Sequence, residues 1–138
     1  MKLFASWLFV LLLAGCATTS RDADLHAAGV KTFGTDANLV VHEVRYTGPI
    51  SNVVSGLTTN DELALASDLK AGTSRDVDLV IWSYSSPKAA ATLLRALRYP
   101  AVQKLPRLRL LFAGDAQDAE KIRPAVEATG AKFYFYQR

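Results

Sequence analysis

The stretch Val77-Asp78-Leu79-Val80-Ile81-Trp82 decides the fold predicted for this chain. Its last four residues are all apolar, so neither side of a strand built from them would face water. Uninterrupted apolar runs of this kind are typical of strands covered on both faces, as the strands of parallel sheets are. We therefore predict a buried strand over residues 77–84, in a sheet that helices cover.

Three more strands are predicted around this one. Residues 38–46 alternate apolar and polar side chains towards their end, as on a strand with one solvent-exposed side. Residues 107–113 and 132–137 are short apolar runs, and the last of them is rich in phenylalanine and tyrosine. Helical patterns fill the intervals between the strands, so the predicted order of elements is βαβαβαβ.

The predicted helices have recognisable ends. Thr59 and Glu62 form a capping box at the start of the first helix. Ser85 or Ser86 caps the second, whose first turn contains a proline. Asp115 is suited to cap the third helix, and Pro124 is expected to kink that helix or split it in two.

This alternation predicts an α/β fold, a two-layer or three-layer sandwich with a mostly parallel sheet of about four strands. Two strand orders stay open. In the simple order, right-handed crossovers put every helix on one face, and the other face, which carries several aromatic residues, needs a partner. In a switched order, helices cover both faces.

Cys16 is the only cysteine among the 138 residues, and it lies three residues after an apolar run over residues 3–13 that follows Lys2. The run is too short to cross a hydrocarbon core of roughly 30 Å comfortably, so it fits a secretory signal better than a membrane span. A single cysteine excludes a disulfide framework and a thiolate metal site. The apolar half of the composition nevertheless indicates a folded body.

The segment Leu13-Ala14-Gly15-Cys16 resembles the lipobox of bacterial lipoprotein precursors. The resemblance covers about the first 17 residues and implies that a type II signal peptidase removes residues 1–15 and that Cys16 carries lipid, palmitate included. Ala17, in place of an aspartate, implies transport to the outer membrane. The expected location is therefore the cell envelope, anchored in the outer membrane and facing the periplasm.

The mature protein is expected to have two parts. Residues 16–37 combine the lipidated N-terminus with a flexible tether, because polar residues and two glycines interrupt any periodicity there. Residues 38–138 form a single α/β domain. The membrane is thus one partner, through the lipid on Cys16.

The charges of the protein are distributed unevenly. Residues 16–80 contain 5 Lys and Arg against 9 Asp and Glu, whereas residues 81–138 contain 10 against 4. Lys88, Arg95 and Arg98 on the second predicted helix are candidates for a face that meets an anionic partner. No nucleic-acid-binding module is recognisable, and an envelope location disfavours nucleic acid as the partner.

The best candidate ligand site lies where the strands end. Parallel sheets bind ligands at the carboxyl ends of their strands, and those ends carry Ser83, Ser85, Ser86 and Asp115. The serines precede a helix N-terminus, which favours anions, although these residues also suit simple helix caps. No phosphate-binding glycine loop, nucleophile elbow or histidine metal pattern is present, so we predict no cofactor, no metal and no catalytic residue.

Two functional hypotheses follow. In the first, the protein is an outer-membrane lipoprotein whose non-catalytic domain binds another envelope component, a protein partner in assembly, secretion or scaffolding. In the second, the strand-end cluster binds a small ligand or hydrolyses one weakly. The absence of a recognisable catalytic motif favours the first.

Overall fold

The computed structural model describes residues 20–46 and 60–138. Residues 1–19 and 47–59 lie outside the described residues. The first range contains the expected signal peptide and the lipobox with Cys16 and Ala17. The second contains residues 47–58, which the sequence predicts to be a loop, and Thr59 of the capping box.

A four-stranded parallel sheet forms the centre of the described structure, in the simple order β1-β2-β3-β4. The predicted α/β fold is therefore confirmed, with all strands parallel and successive strands adjacent. The two inner strands are almost wholly buried, as the apolar runs in their sequences require. The strands span Leu39–Glu43 (β1), Val77–Trp82 (β2), Leu108–Gly114 (β3) and Lys132–Gln137 (β4).

In the described ranges, the strands alternate with helices, and one more helix precedes β1. The α-helices span Ser20–Phe33 (α1), Asn60–Lys70 (α2), Ser86–Ala96 (α3) and Ala116–Glu127 (α4). Single 3₁₀ turns at Ala71–Thr73 and Pro100–Val102 follow α2 and α3. The predicted split of α4 at Pro124 is wrong, because the helix is continuous. A proline in the last turn removes only one helical N–H donor.

Helices α2, α3 and α4 pack against one face of the sheet. Their buried leucine, isoleucine, valine and alanine side chains meet inward-facing residues of all four strands, including Ile81 and Phe112 at the centre. This common side is the result of right-handed crossovers between strands in simple order. The larger of the two hydrophobic clusters lies here.

Helix α1 covers the other face. Leu25, Ala28 and Phe33 of α1 pack against Trp82 of β2, Leu111 of β3 and their neighbours in a second buried cluster. The flexible tether predicted for residues 16–37 is therefore wrong from Ser20 to Phe33, where the backbone is helical. The helix completes a third layer, so the sheet face that the simple strand order left open is covered within the protein itself.

Gly29 explains how α1 lies so close to the sheet. A Cβ atom at this position would come within 2.9 Å of Leu39 Cδ1 and 3.0 Å of Val80 Cγ2. A larger residue would hold the helix away from β1 and β2. The glycine that interrupts the helical pattern in the sequence thus lies at a close contact between helix and sheet.

A buried ion pair fixes the end of α1. Asp78 of β2 accepts hydrogen bonds from Nε and Nη2 of Arg109 on β3, at 2.6 and 2.7 Å. Arg109 Nη1 donates to the carbonyl of Phe33, the last residue of α1, and the guanidinium lies over the Phe33 ring. A cation at a helix C-terminus also interacts favourably with the helix dipole. The pair therefore joins two strands and the helix above them.

Candidate functional site

The three candidate serines come together at the carboxyl edge of the sheet, the edge where the strands end, and their hydroxyl groups act as caps. Ser83 Oγ accepts from the backbone N–H of Ser85, and Ser85 Oγ accepts from that of Lys88 in the first turn of α3. Ser86 Oγ accepts from the backbone N–H of Asp115, which ends the loop after β3. Each hydroxyl thus stabilises the local backbone.

Asp115 lies beside this serine cluster but turns its carboxylate to solvent. The residue occupies the N-cap position of α4, as predicted, yet its side chain makes no capping hydrogen bond. It is exposed, and no group of three or more His, Cys, Asp or Glu residues suited to a metal ion occurs in the described parts of the protein. Gly114 brings the two loops together, since a Cβ there would meet Ser86 Oγ at 2.5 Å.

An aromatic cluster next to the serines was not predicted from the sequence. The rings of Trp82 and Tyr84 meet edge to face with centroids 5.1 Å apart. Arg138 lies over the Trp82 ring, donates to the Ser83 carbonyl and follows the end of β4. Arg21, in the first turn of α1, lies over the Tyr84 ring. The cluster therefore joins Arg138, which follows β4, to β2 and to the start of α1.

A cavity of about 470 Å³ opens beside this cluster, between α1 and β1. Its volume lies within the range of small-molecule sites. The indole Nε1 of Trp82 is buried and has no hydrogen-bond partner among residues 20–46 and 60–138. His26 of α1 is exposed and lies at the rim of this cavity. The cavity is lined by Asp22, His26, Leu39, Val41, Glu43 and Trp82.

A smaller cavity of about 290 Å³ lies between the C-terminal ends of α3 and α4, lined by Leu94, Arg98, Thr129 and neighbouring residues. It carries one cation. Nothing in its lining suggests a reactive group.

The three candidate residues of the anionic-partner face do not form one patch. Lys88 lies in the first turn of α3 and Arg98 follows its last turn, about 15 Å further along the helix axis. Arg95 Nε donates to Glu62 of α2 at 3.0 Å, so its charge is matched within the domain. Of the three, Arg98 is the exposed cation with no carboxylate within ion-pair distance in the described structure.

A larger set of cations lies at the amino edge of the sheet, the edge where the strands begin. Arg107 pairs there with Asp76, and the hydrogen bond from its guanidinium is the main reason why the pKa of the Asp76 carboxyl lies below its usual value. In the described residues, no carboxylate lies within 4.0 Å of the other five cations, which are Lys70, Arg75, Arg98, Lys104 and Lys132. We call the six the amino-edge cations: Lys70, Arg75, Arg98, Lys104, Arg107 and Lys132.

His42 pairs with a carboxylate of a neighbouring helix. Its Nδ1 lies 2.7 Å from Asp68 Oδ2 on α2, so the pair joins the outer strand β1 to the helix that packs on it. Sequence reasoning did not find Asp68, because the two residues belong to different elements and share no local pattern.

No protein-family model matches the sequence, and neither a curated protein nor a solved structure is similar to it. Among the described residues, no helix has the length and apolar character needed to cross a bilayer.

Proposed function

We propose that the protein is an outer-membrane lipoprotein, anchored through lipid on Cys16 and facing the periplasm, whose α/β domain binds another component of the cell envelope without catalysing a reaction. The anchor is supported by the Leu13-Ala14-Gly15-Cys16 segment and the apolar run before it. The domain supplies the binding surface.

The observation that carries the non-catalytic role is the use of the strand-end serines. All three hydroxyl groups accept hydrogen bonds from backbone N–H groups. The side chains of Ser83, Ser85 and Ser86 thereby stabilise the loops at the carboxyl edge. A serine nucleophile needs a base within hydrogen-bond reach. None of the three hydroxyls is bonded to a histidine or carboxylate in residues 20–46 and 60–138.

The amino-edge cations are the best candidates for the surface that meets an anionic partner. They lie at strand starts and helix ends, where cations also complement the helix dipoles. Five of the six have no carboxylate nearby in the described structure, so their charge is available to a partner. Electrostatic complementarity of this kind guides association and determines orientation.

The alternative, a small-ligand or weakly hydrolytic site at Ser83, Ser85, Ser86 and Asp115, has less support. The cavity beside the aromatic cluster is lined by Trp82 and by residues of α1 and β1, and by none of those four. A ligand bound there would meet the Trp82 side chain and the Asp22 and Glu43 carboxylates instead.

Site-specific photo-crosslinking in intact cells tests the binding role. A photo-reactive amino acid at Lys104, an exposed amino-edge position, should give a discrete adduct with one envelope component. The same residue at Gln117, exposed at the carboxyl edge, is the matched control. Charge reversal at Arg98 and Lys132 should abolish the Lys104 adduct. An adduct that survives the reversal, or equal adducts from both positions, would contradict this surface assignment.

A further inference from the structure

The direction of α1 shows which end of the domain lies next to the anchor. Arg21, in its first turn, lies over Tyr84 just beyond the end of β2. Phe33, its last residue, meets Arg109 near the start of β3. The helix therefore runs antiparallel to the strands, and its N-terminus lies at the carboxyl edge of the sheet.

The segment between the anchor and this helix is short. Only residues 17–19 separate Cys16 from Ser20, where α1 begins. Even a fully extended backbone covers at most about 14 Å between those two Cα atoms. A lipid on Cys16 thus restricts the start of α1, and with it the carboxyl edge, to the immediate neighbourhood of the bilayer surface.

We propose that the carboxyl edge of the sheet rests on the phospholipid headgroups of the membrane that holds the anchor. The inference depends on the proposed lipid anchor and adds an orientation to it. The amino-edge cations then point away from the bilayer into the periplasm, where an anionic partner can reach them.

The side chains at the carboxyl edge suit this contact. Tyr84 and Tyr136 are 58% and 41% exposed, unusually open for large apolar residues of this domain. Tyrosine favours the membrane interface, because its ring enters the headgroup region while its hydroxyl stays hydrated. Arg21 and Arg138 can meet phosphates, whereas Asp22, Glu43 and Asp115 can meet the amines of phosphatidylethanolamine. The mixed charges favour a bilayer rich in that zwitterionic lipid.

Nitroxide quenching on the full lipidated protein tests the orientation. Lipidation consumes the only native thiol, so a single introduced cysteine can carry a fluorophore. Gln117→Cys places it at the carboxyl edge and Ser74→Cys at the amino edge, both at exposed positions. The protein is reconstituted into vesicles of phosphatidylethanolamine and phosphatidylglycerol that contain headgroup-nitroxide lipid.

The label at Gln117→Cys should lose most of its emission, and the label at Ser74→Cys should keep most of it. Equal quenching, stronger quenching at Ser74→Cys, or no quenching at either position overturns the orientation. Flotation of the vesicles separates this result from a failure of the anchor. Protein that floats with equally quenched labels refutes the orientation alone, whereas protein that does not float refutes the lipid anchor and the orientation together.

Discussion

Arg109 holds the buried carboxylate of Asp78 through two hydrogen bonds, of 2.6 and 2.7 Å, between neighbouring positions of β3 and β2. The carboxylate is only 2% exposed, while the guanidinium side chain is 34% exposed. The same guanidinium donates to the last carbonyl of α1. Asp78 raises the pKa of Arg109 above its usual value, mainly through the hydrogen bond between them, so the guanidinium stays charged.

Arg109→Met should therefore destabilise the domain by about 3 kcal/mol. This estimate is at the low end for a buried ion pair that loses one partner, because Arg109 is partly solvated. Arg107→Met is the matched control, since Arg107 forms an exposed pair with Asp76 two residues before the buried pair, just before the same strands begin, and its effect should be far smaller. Urea unfolding of both variants measures the difference, and equal losses would argue against a special role for the buried pair.

The exposed pair of Arg107 and Asp76 should change how the free energy of unfolding depends on pH in the acid range. The folded-state pKa of Asp76 is below its ordinary 3.8, mainly because of the hydrogen bond from Arg107. A lowered carboxyl pKa stabilises the folded state above pH 3.8 and ceases to do so as pH falls through the folded-state value. Asp76→Asn should thus reduce the urea midpoint slightly at neutral pH, and the difference from the wild type should vanish in strong acid. A difference that grows as pH falls would contradict this assignment.

The docking of α1 predicts a contrast between two positions on that helix. Leu25 is buried against the sheet, whereas Ala27 is exposed. Leu25→Lys should cost about 3 kcal/mol or more, because it removes a buried leucine and places a charge against the apolar face. Ala27→Lys should leave stability nearly unchanged.

Tryptophan emission provides a second measurement for the same pair. Of the two tryptophans in the sequence, Trp7 lies in the proposed signal peptide, so Trp82, which α1 covers, is the only tryptophan of the proposed mature protein. Its emission should shift to longer wavelength in Leu25→Lys and stay unchanged in Ala27→Lys. If both variants behave like the wild type, α1 does not cover this face in solution.

The capping role of the serines predicts a coupled effect at Gly114. Gly114→Ala brings a methyl group within 2.5 Å of Ser86 Oγ and 2.8 Å of the Phe112 ring, so it should cost about 1–3 kcal/mol. Removing the hydroxyl in Ser86→Ala relieves part of this clash. The double variant should therefore lose less than the sum of the single variants. Strict additivity in urea unfolding would show that Ser86 and Gly114 do not meet as described.

The strands could be predicted from the sequence because their signal is local. Four buried apolar residues from Leu79 to Trp82 predict a covered strand without any knowledge of its neighbours. The starts of α3 and α4 could also be predicted from the sequence, since Ser85 and Asp115 occupy the predicted N-cap positions. The order of the strands was left open because it depends on contacts between distant segments.

Helix α1 and the aromatic cluster could not be predicted in this way. Gly29 lowers the helix propensity of its segment. The reason for a glycine there, the close packing of α1 on Leu39 and Val80, is visible only in the folded structure. Arg138 reaches Trp82 because β4, β3 and β2 are adjacent, and no sequence pattern records that arrangement. The candidate serines could be identified as a group from the sequence. Their capping role could not, because it depends on where the backbone N–H groups that donate to them lie in the folded structure.

Intact-mass and peptide mass spectrometry of the protein extracted from the membrane fraction tests the central claim most directly. The account predicts a mature protein that begins at Cys16 and carries the mass of covalently attached lipid on its first residue, and a Cys16→Ser variant that remains an uncleaved precursor without lipid. An unmodified Cys16, or a mature protein that begins at another residue, would contradict it.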